Sequence, residues 1–412
     1  MFRKLMTLEE AKNAISQHLK PKPLGTEEIP LLEAHNRVLA EDAVSTLDIP
    51  PFNRSTVDGY AVKAKDTFGA EENQSVLLRV CGVVSIGELP RISVSAGQAA
   101  EIVTGAPIPE GSDAVVMVED TERTGDELHV FSAVTKGENV MKRGSDIKKG
   151  ETVLKAGQVL SSREIGVLAA LGAACAKVHE VPQVAVLSTG GEVTEPGKEL
   201  PPGKIYDINA YSLSAAVLES GGNPICMGVT PDDPIEMREA LQRALECADV
   251  VITSGGVSVG PKDITPQTVD SLGKPGLIFS GIAVKPGKPT TMALIGRKPV
   301  FALPGHPTSA LLVFQLLVRP VIERLSGRTP TEVAKVKGVA GMRMFSAKGR
   351  RTFVMVKLRR DKSGLVAEAV ETGASGAITT LAKADGYVEI PENQQFVDKG
   401  EKVEVTLFRN YA

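Results

Sequence analysis

Hydrophobic and polar positions alternate most regularly in residues 182–327. Short apolar runs at 184–187, 225–229, 250–253, 277–279 continuing through 282–284, and 300–303 read as buried strands. Between them, apolar residues recur at helical spacing. The pattern predicts helices over 210–220, capped by Asn209 and ended by Gly221-Gly222, over 235–247, and over 308–325 with a kink at Pro320. Strand–helix alternation of this kind predicts a three-layer α/β domain with a mostly parallel sheet.

The flanking regions have a different texture. Residues 7–19 form an amphipathic helical pattern, with Thr7 as N-cap and Glu10 three residues on. A second helical stretch is expected at 31–40 and a third at 162–171. Between the second and third, residues 47–147 are short β-like runs broken by Gly and Pro, so a mostly-β insert is expected there. The segments on either side, 1–46 and 148–181, then form one small helical unit whose helices pack together. Residues 328–412 are again short strands, as in a small C-terminal β-barrel. The whole is a multidomain α/β plus β protein.

Composition narrows the function classes. The 412 residues carry a formal charge of −3 and 42% apolar side chains, with no basic block, no Trp and five Tyr. Neither a phosphate-backbone footprint nor a base-stacking surface is present, so nucleic acid is not an expected partner. The four cysteines fit no zinc spacing and are too sparse for a disulfide scaffold. The apolar run at 310–318 is too short to span a bilayer, and the N-terminus has no signal-peptide core. A cytoplasmic protein with no membrane association is expected.

Candidate chemistry sits in four glycine-rich loops, each after a strand-like run. They are Ser188-Thr189-Gly190-Gly191-Glu192, Ser254-Gly255-Gly256-Val257-Ser258-Val259-Gly260, Lys285-Pro286-Gly287-Lys288-Pro289 and Leu303-Pro304-Gly305-His306-Pro307. Loops leaving the carboxyl ends of strands converge on one crevice in an open α/β sheet. Backbone N–H groups bare of side chains suit phosphate-like anions. One such loop alone reads as a turn; four in one domain point to a binding site. Glu192 and Asp263 follow glycine loops, and carboxylates beside an anion call for a cation between them. Mg²⁺ suits that place, although Asp263 is equally placed to cap the next helix. Asp232 and Asp233 stand in a Pro-flanked turn, where capping is the stronger reading. Lys285 and Lys288 flank a stiff Pro-Gly step and are suited to a tetrahedral oxyanion, against the alternative of a solvated turn.

Three polar segments of the insert, Ser55-Thr56-Val57-Asp58-Gly59-Tyr60-Ala61, Val103-Thr104-Gly105-Ala106-Pro107 and Arg143-Gly144-Ser145-Asp146, read by themselves as turn chemistry. Together with the four loops, in this order, they resemble the molybdopterin molybdenumtransferase family, which includes MoeA and the C-terminal domain of gephyrin. The resemblance covers nearly the whole chain. It implies a molybdopterin-binding α/β domain at 182–327 and the conversion of adenylylated molybdopterin and molybdate to molybdenum cofactor and AMP. It also implies a homodimer, with each cleft shared between the α/β domain of one subunit and the insert of the other. An adenylyltransferase that supplies the substrate would be a further partner.

By motif match the resemblance places Asp58, Glu192, Asp263, Lys285 and Lys288 in catalysis, with Glu192 and Asp263 on the metal. Thr104, Asp146, Ser188, Thr189, Gly190, Asp232, Ser254, Gly255, Gly256, Ser258, Gly260, Pro304, Gly305 and Pro307 would bind substrate. His306 and Gly281 depart from the residues many relatives carry. The related adenylyltransferase is the alternative enzyme, but it lacks the insert and barrel. A gephyrin-like scaffold is the alternative from another class, and this chain shows no long linker.

Overall fold

In the strand Gln183–Thr189, alternate residues serve two different cores. Val184 and Val186 are buried against Leu213 and Val217 of the helix Asn209–Glu219 and against Phe314 and Val321. Ala185 and Leu187 face the other way, onto Met237 and Leu241 of the helix Pro234–Cys247. Period-two alternation in a strand buried on both faces demands helices on both sides, and that is how the sheet is covered. The computed structural model describes residues 5–256, 265–330, 333–362, 364–370 and 378–408.

The sheet runs in the order Asn223–Thr230, Gln183–Thr189, Val250–Ser254, Lys298–Leu303, Thr291–Ile295, Pro275–Ser280. The first four strands are parallel, and Thr291–Ile295 runs antiparallel to both of its neighbours. The carboxyl ends of four strands bearing the glycine loops therefore point to one edge.

The chain divides into two compact units, one of residues 1–40, 157–161 and 175–412, the other of residues 41–156 and 162–174. In the first, the helix Leu8–Leu19 has the expected capping box at Thr7 and Glu10. Its Leu8, Ala11 and Ile15 are buried in the core that holds Val184 and Phe314, so it packs on the α/β layer. The helix expected over 31–40 is absent. Residues 31–36 are turns, and Val38 and Leu39 make bridges to Val159 and Val178. Backbone N–H groups of Asn36, Leu39 and Ala40 donate to Leu160, Gln158 and Lys177, so non-local pairing overrides the helical spacing.

Two further expectations change in detail. Residues 307–325 form a helix Pro307–Val313, a π-turn Phe314–Val318 and a helix Arg319–Leu325. The wider turn precedes Pro320, whose ring cannot supply an amide hydrogen to a continuous helix. The strand at 275–280 does not continue through 282–284. The chain turns at Gly281, φ +89°, and Val284–Lys285 instead pairs in parallel with Arg351 and Thr352.

The C-terminal strands Lys335–Ala340, Arg351–Asp361, Gly364–Ala369, Gly386–Ile390 and Lys402–Leu407 close into a barrel, because Arg351–Asp361 pairs on both sides of the circuit. Val356, Ala367, Val388 and Val405 fill it. In the second unit, the strands Ala114–Met117, Gly59–Val62, Gln98–Ile102, Val76–Val84, Glu127–Val130 and Thr121–Thr124 form one sheet in that order. Tyr60 and Val62 pack on one face of it with Leu78 and Val116, and Ala61 packs with Ala100 and Val115 on the other.

Candidate active site

The parallel strands end at Thr189, Ser254 and Leu303, and the first two hand the chain to a glycine that a side chain would obstruct or strain. Gly255 has φ +103°, and a Cβ there would stand 2.3 Å from the Thr189 carbonyl oxygen. Its N–H donates to the Leu303 carbonyl at 3.3 Å, tying two loops together. Gly190, φ +139°, donates to Thr230 at 3.2 Å. For Gly255→Ala we expect a loss of about 1–3 kcal/mol, from left-handed strain plus the clash, visible as a lowered midpoint in urea unfolding. An unchanged midpoint would show that the loop accommodates the methyl group.

The Lys285–Pro289 loop is closed by its own backbone. Ile282 N–H donates to the Lys288 carbonyl at 3.0 Å, Gly281 N–H to the Thr290 carbonyl at 2.8 Å, and the Thr290 hydroxyl to the Gly287 carbonyl at 2.7 Å. Gly287, φ +109°, lies so close to the helix Pro307–Val313 that a Cβ would meet Val313 Cγ2 at 2.5 Å. The loop is thus braced by backbone bonds and by packing, with both lysines carried on its outer side.

These loops enclose a cleft of about 990 Å³. Of the predicted residues, Glu192, Gly255, Gly256, Lys285, Lys288, Pro304 and Gly305 line it, and His306 does too. Ser188, Thr189 and Ser254 are buried at the strand ends. Gly190 turns the Glu192 loop, and Pro307 opens the helix behind the last loop. Asp232 is exposed in its turn and is not among the cleft residues; Asp233, not Asp232, caps the helix Pro234–Cys247, accepting from Ile235 and Glu236. Ser258, Gly260 and Asp263 lie outside the described residues.

The far wall of the cleft comes from the barrel and its approach, through Phe345, Arg350 and Thr352. No sequence motif marked them. They reach the site because Lys285 pairs with Thr352, a contact between residues far apart in the chain. Asn209 was also missed as a site residue. It was expected to cap its helix, yet the Ala210 N–H goes to Asp207 Oδ1 at 2.9 Å, and the Asn209 amide instead bonds Ser254 Oγ and the Gly305 carbonyl, each at 2.7 Å.

The insert residues form their own constellation in the second unit. Ser55 and Arg54 pair with Val140 and Met141, and Ser55 N–H donates to Ala106, so the three polar segments meet. Asp58 Oδ1 accepts from Thr104 N at 2.6 Å and from Thr104 Oγ1 at 2.8 Å. The Thr104 backbone N–H first, and its hydroxyl second, hold the Asp58 carboxyl below its ordinary 3.8. Asp146 is exposed in the turn after Arg143, its N–H donating to Ile49.

The Asp58 arrangement carries a pH expectation. A depressed carboxyl contributes stability above its unfolded pKa, and that contribution is lost as pH falls through the folded value. Thr104→Val removes the weaker of the two bonds. NMR titration should then show the Asp58 midpoint moving up toward 3.8 without reaching it, since the backbone donor remains. No movement would mean the hydroxyl bond is not formed in solution.

Among the described residues no group of three His, Cys, Asp or Glu could hold a metal ion. Glu192 presents one exposed carboxylate to the cleft. A cation that takes one or two carboxylates and completes its shell with water and substrate phosphates fits such a donor set; a fully protein-ligated metal does not.

An α/β sheet with glycine loops at its strand ends, two braced lysines and an open carboxylate has the chemistry of a cleft suited to a phosphate-bearing ligand. Family comparisons agree with that class. Residues 6–172 match the MoeA N-terminal region (domain I and II), 185–324 a probable molybdopterin binding domain, and 337–408 the MoeA C-terminal region (domain IV). The molybdopterin molybdenumtransferase of Haemophilus influenzae is 34% identical over 98% of this chain and 99% of its own. That of a Nostoc species is 35% identical over 92% of this chain and 88% of its own. A solved molybdopterin biosynthesis MoeA protein from Pyrococcus horikoshii superposes with a TM-score of 0.85 at 43% identity, covering 99% of this chain and all of that one. The chain belongs to the MoeA family of molybdopterin molybdenumtransferases.

Proposed function

We propose that this protein inserts molybdenum in molybdenum cofactor biosynthesis, converting adenylylated molybdopterin and molybdate to molybdenum cofactor and AMP. The observation that carries this reading is the single cleft in which Glu192, Lys285, Lys288 and the glycine loops meet. Gly255, Gly256 and Gly305 give the cleft a wall bare of side chains, which lets a pyrophosphate approach the backbone closely. Lys285 and Lys288 hold molybdate near the dithiolene sulfurs and stabilise charge that develops as the phosphoanhydride breaks. The P–O bond between the adenylyl phosphorus and the pterin phosphate breaks, and an oxygen from molybdate or water completes AMP. No enzyme nucleophile is required.

Glu192 would hold Mg²⁺ together with substrate phosphate oxygens, and Asp263 is the second candidate ligand. Bound there, Mg²⁺ supplies neutralisation of the pyrophosphate charge. The proof is an AMP-release assay with adenylylated molybdopterin. Turnover should require both Mg²⁺ and molybdate, and AMP release indifferent to molybdate would sink the reading. Conversion of ATP and molybdopterin to pyrophosphate would instead identify the adenylyltransferase.

A homodimer with shared clefts belongs to the same proposal, Asp58, Thr104 and Asp146 of one subunit completing the partner's site. A cytoplasmic setting and hand-over from an adenylyltransferase are also part of it; among the described residues no helix is long and apolar enough to cross a membrane. Mixing Asp58→Ala and Asp263→Ala chains should restore about one working site per heterodimer. Failure of the mixture to regain any activity would exclude shared clefts.

A further inference from the structure

We propose that Asn209 is a positioning residue for this reaction: its amide clamps the Ser254–Gly256 turn to the Pro304–Gly305 turn and so sets the spacing of two phosphate-binding walls. The inference rests on the function proposed above.

Asn209 is 8% exposed, and its Nδ2 donates to Ser254 Oγ and to the Gly305 carbonyl, both at 2.7 Å. The Ser254 hydroxyl in turn donates to the Pro304 carbonyl at 3.3 Å, and Gly255 N–H to the Leu303 carbonyl at 3.3 Å. The last two bonds join the end of one strand to the end of its neighbour directly, and the two from Asn209 bridge the same pair from the helix start. Gly255, Gly256, Pro304 and Gly305 are the parts of those loops that line the cleft.

The clamp extends to the loop that carries Glu192. Asp207 is 5% exposed; its Oδ1 accepts from Ala210 N–H at 2.9 Å, and its own N–H donates to the Thr194 carbonyl at 2.8 Å. Ile205 N–H donates to the Glu192 carbonyl at 2.9 Å. The helix start that bears Asn209 is therefore registered against the Glu192 segment as well. The amide ties two loops together, and Asp207, two residues before it, ties the helix start to the third.

Helix capping does not explain the residue. The residue before it makes no side-chain cap bond, and Asp207 satisfies the helix N–H. Stability alone does not explain it. Asn209 Oδ1 is buried without a partner, as is the hydroxyl of Ser188, whose register partner is Ser254. Unpaired buried polar atoms are destabilising and offset part of what the two amide bonds contribute. Stability given up at the edge of a binding cleft is the pattern expected of a functional constraint.

Asn209→Leu keeps the branched shape, at a somewhat larger volume, and removes both donors. The measurements are AMP affinity by calorimetry, KM for adenylylated molybdopterin, the half-saturating molybdate concentration and the thermal midpoint. We expect AMP affinity to fall and KM to rise about tenfold, the equivalent of one to two lost hydrogen bonds. Half-saturating molybdate at saturating pterin stays unchanged, and the thermal midpoint falls by no more than a few degrees, since the backbone bonds of both turns remain. Ser254→Ala, which removes the other end of the clamp, should shift AMP affinity and KM the same way by about threefold, and it carries the test if the leucine variant does not fold. Variants that bind AMP as the wild type does overturn the clamp. A raised KM accompanied by an equally weakened molybdate dependence and a large fall in thermal midpoint also overturns it, since that is a merely structural role. Wild-type protein that binds neither AMP nor adenylylated molybdopterin overturns the functional reading and the clamp with it.

Discussion

Glu192→Gln should lower AMP release by about a hundredfold or more while leaving the fold intact. The loss estimate follows from removing one preorganised electrostatic contact to the reacting phosphates, which typically costs two to three orders of magnitude. The fold estimate follows from place. Glu192 is exposed on the cleft, and its structural contribution is a backbone carbonyl that accepts from Ile205, which the substitution keeps. Surface changes of this kind usually stay within about 0.5 kcal/mol. The measurements are steady-state AMP release over a range of Mg²⁺ concentrations and the urea midpoint. Raised Mg²⁺ should recover part of the rate if the carboxylate holds the cation. A midpoint that falls in step with activity would make Glu192 a structural residue and remove it from the metal proposal.

How far the site could be read in the sequence depends on how local its determinants are. Gly190, Gly255 and Gly287 stand beside the residues that need them, because each occupies a left-handed backbone position at a strand end. Two-sided burial of Gln183–Thr189 is equally local, written in consecutive apolar residues. The barrel wall is not. Arg350 follows an ordinary Lys-Gly turn, and its place in the same cleft as Lys288 depends on the pairing of residue 285 with residue 352. Asn209 misled for a related reason. An Asn at a helix start satisfies a capping rule, and only the tertiary position of Ser254 and Gly305 shows that its hydrogens go elsewhere. Residues 31–40 failed differently, since Ala34, Val38 and Leu39 are buried at spacings a helix shares with a turn and two bridges. Where backbone partners lie more than a hundred residues away, as Lys177 does for Ala40, local periodicity has no access to them.

Lys285→Gln or Lys288→Gln should raise the molybdate concentration needed for half-maximal turnover by about ten- to a hundredfold, the equivalent of a charge-assisted contact of about 1.5–3 kcal/mol. Excess molybdate should restore most of the rate. The loop itself should not change, because its shape rests on the Ile282–Lys288 and Gly281–Thr290 backbone bonds and on Gly287 against Val313, none of which involves an ammonium. Gln also keeps most of the aliphatic stem, so packing is nearly preserved. Affinity for the pterin should move less, since the Gly255 and Gly305 turns line the cleft from other loops than the one that carries the lysines. Raising ionic strength should weaken molybdate binding in the wild type more than in either variant, as one screened charge has been removed. Variants with an ordinary molybdate dependence but weakened pterin binding would assign the lysines to the pyrophosphate and leave the oxyanion to Arg350 on the opposite wall.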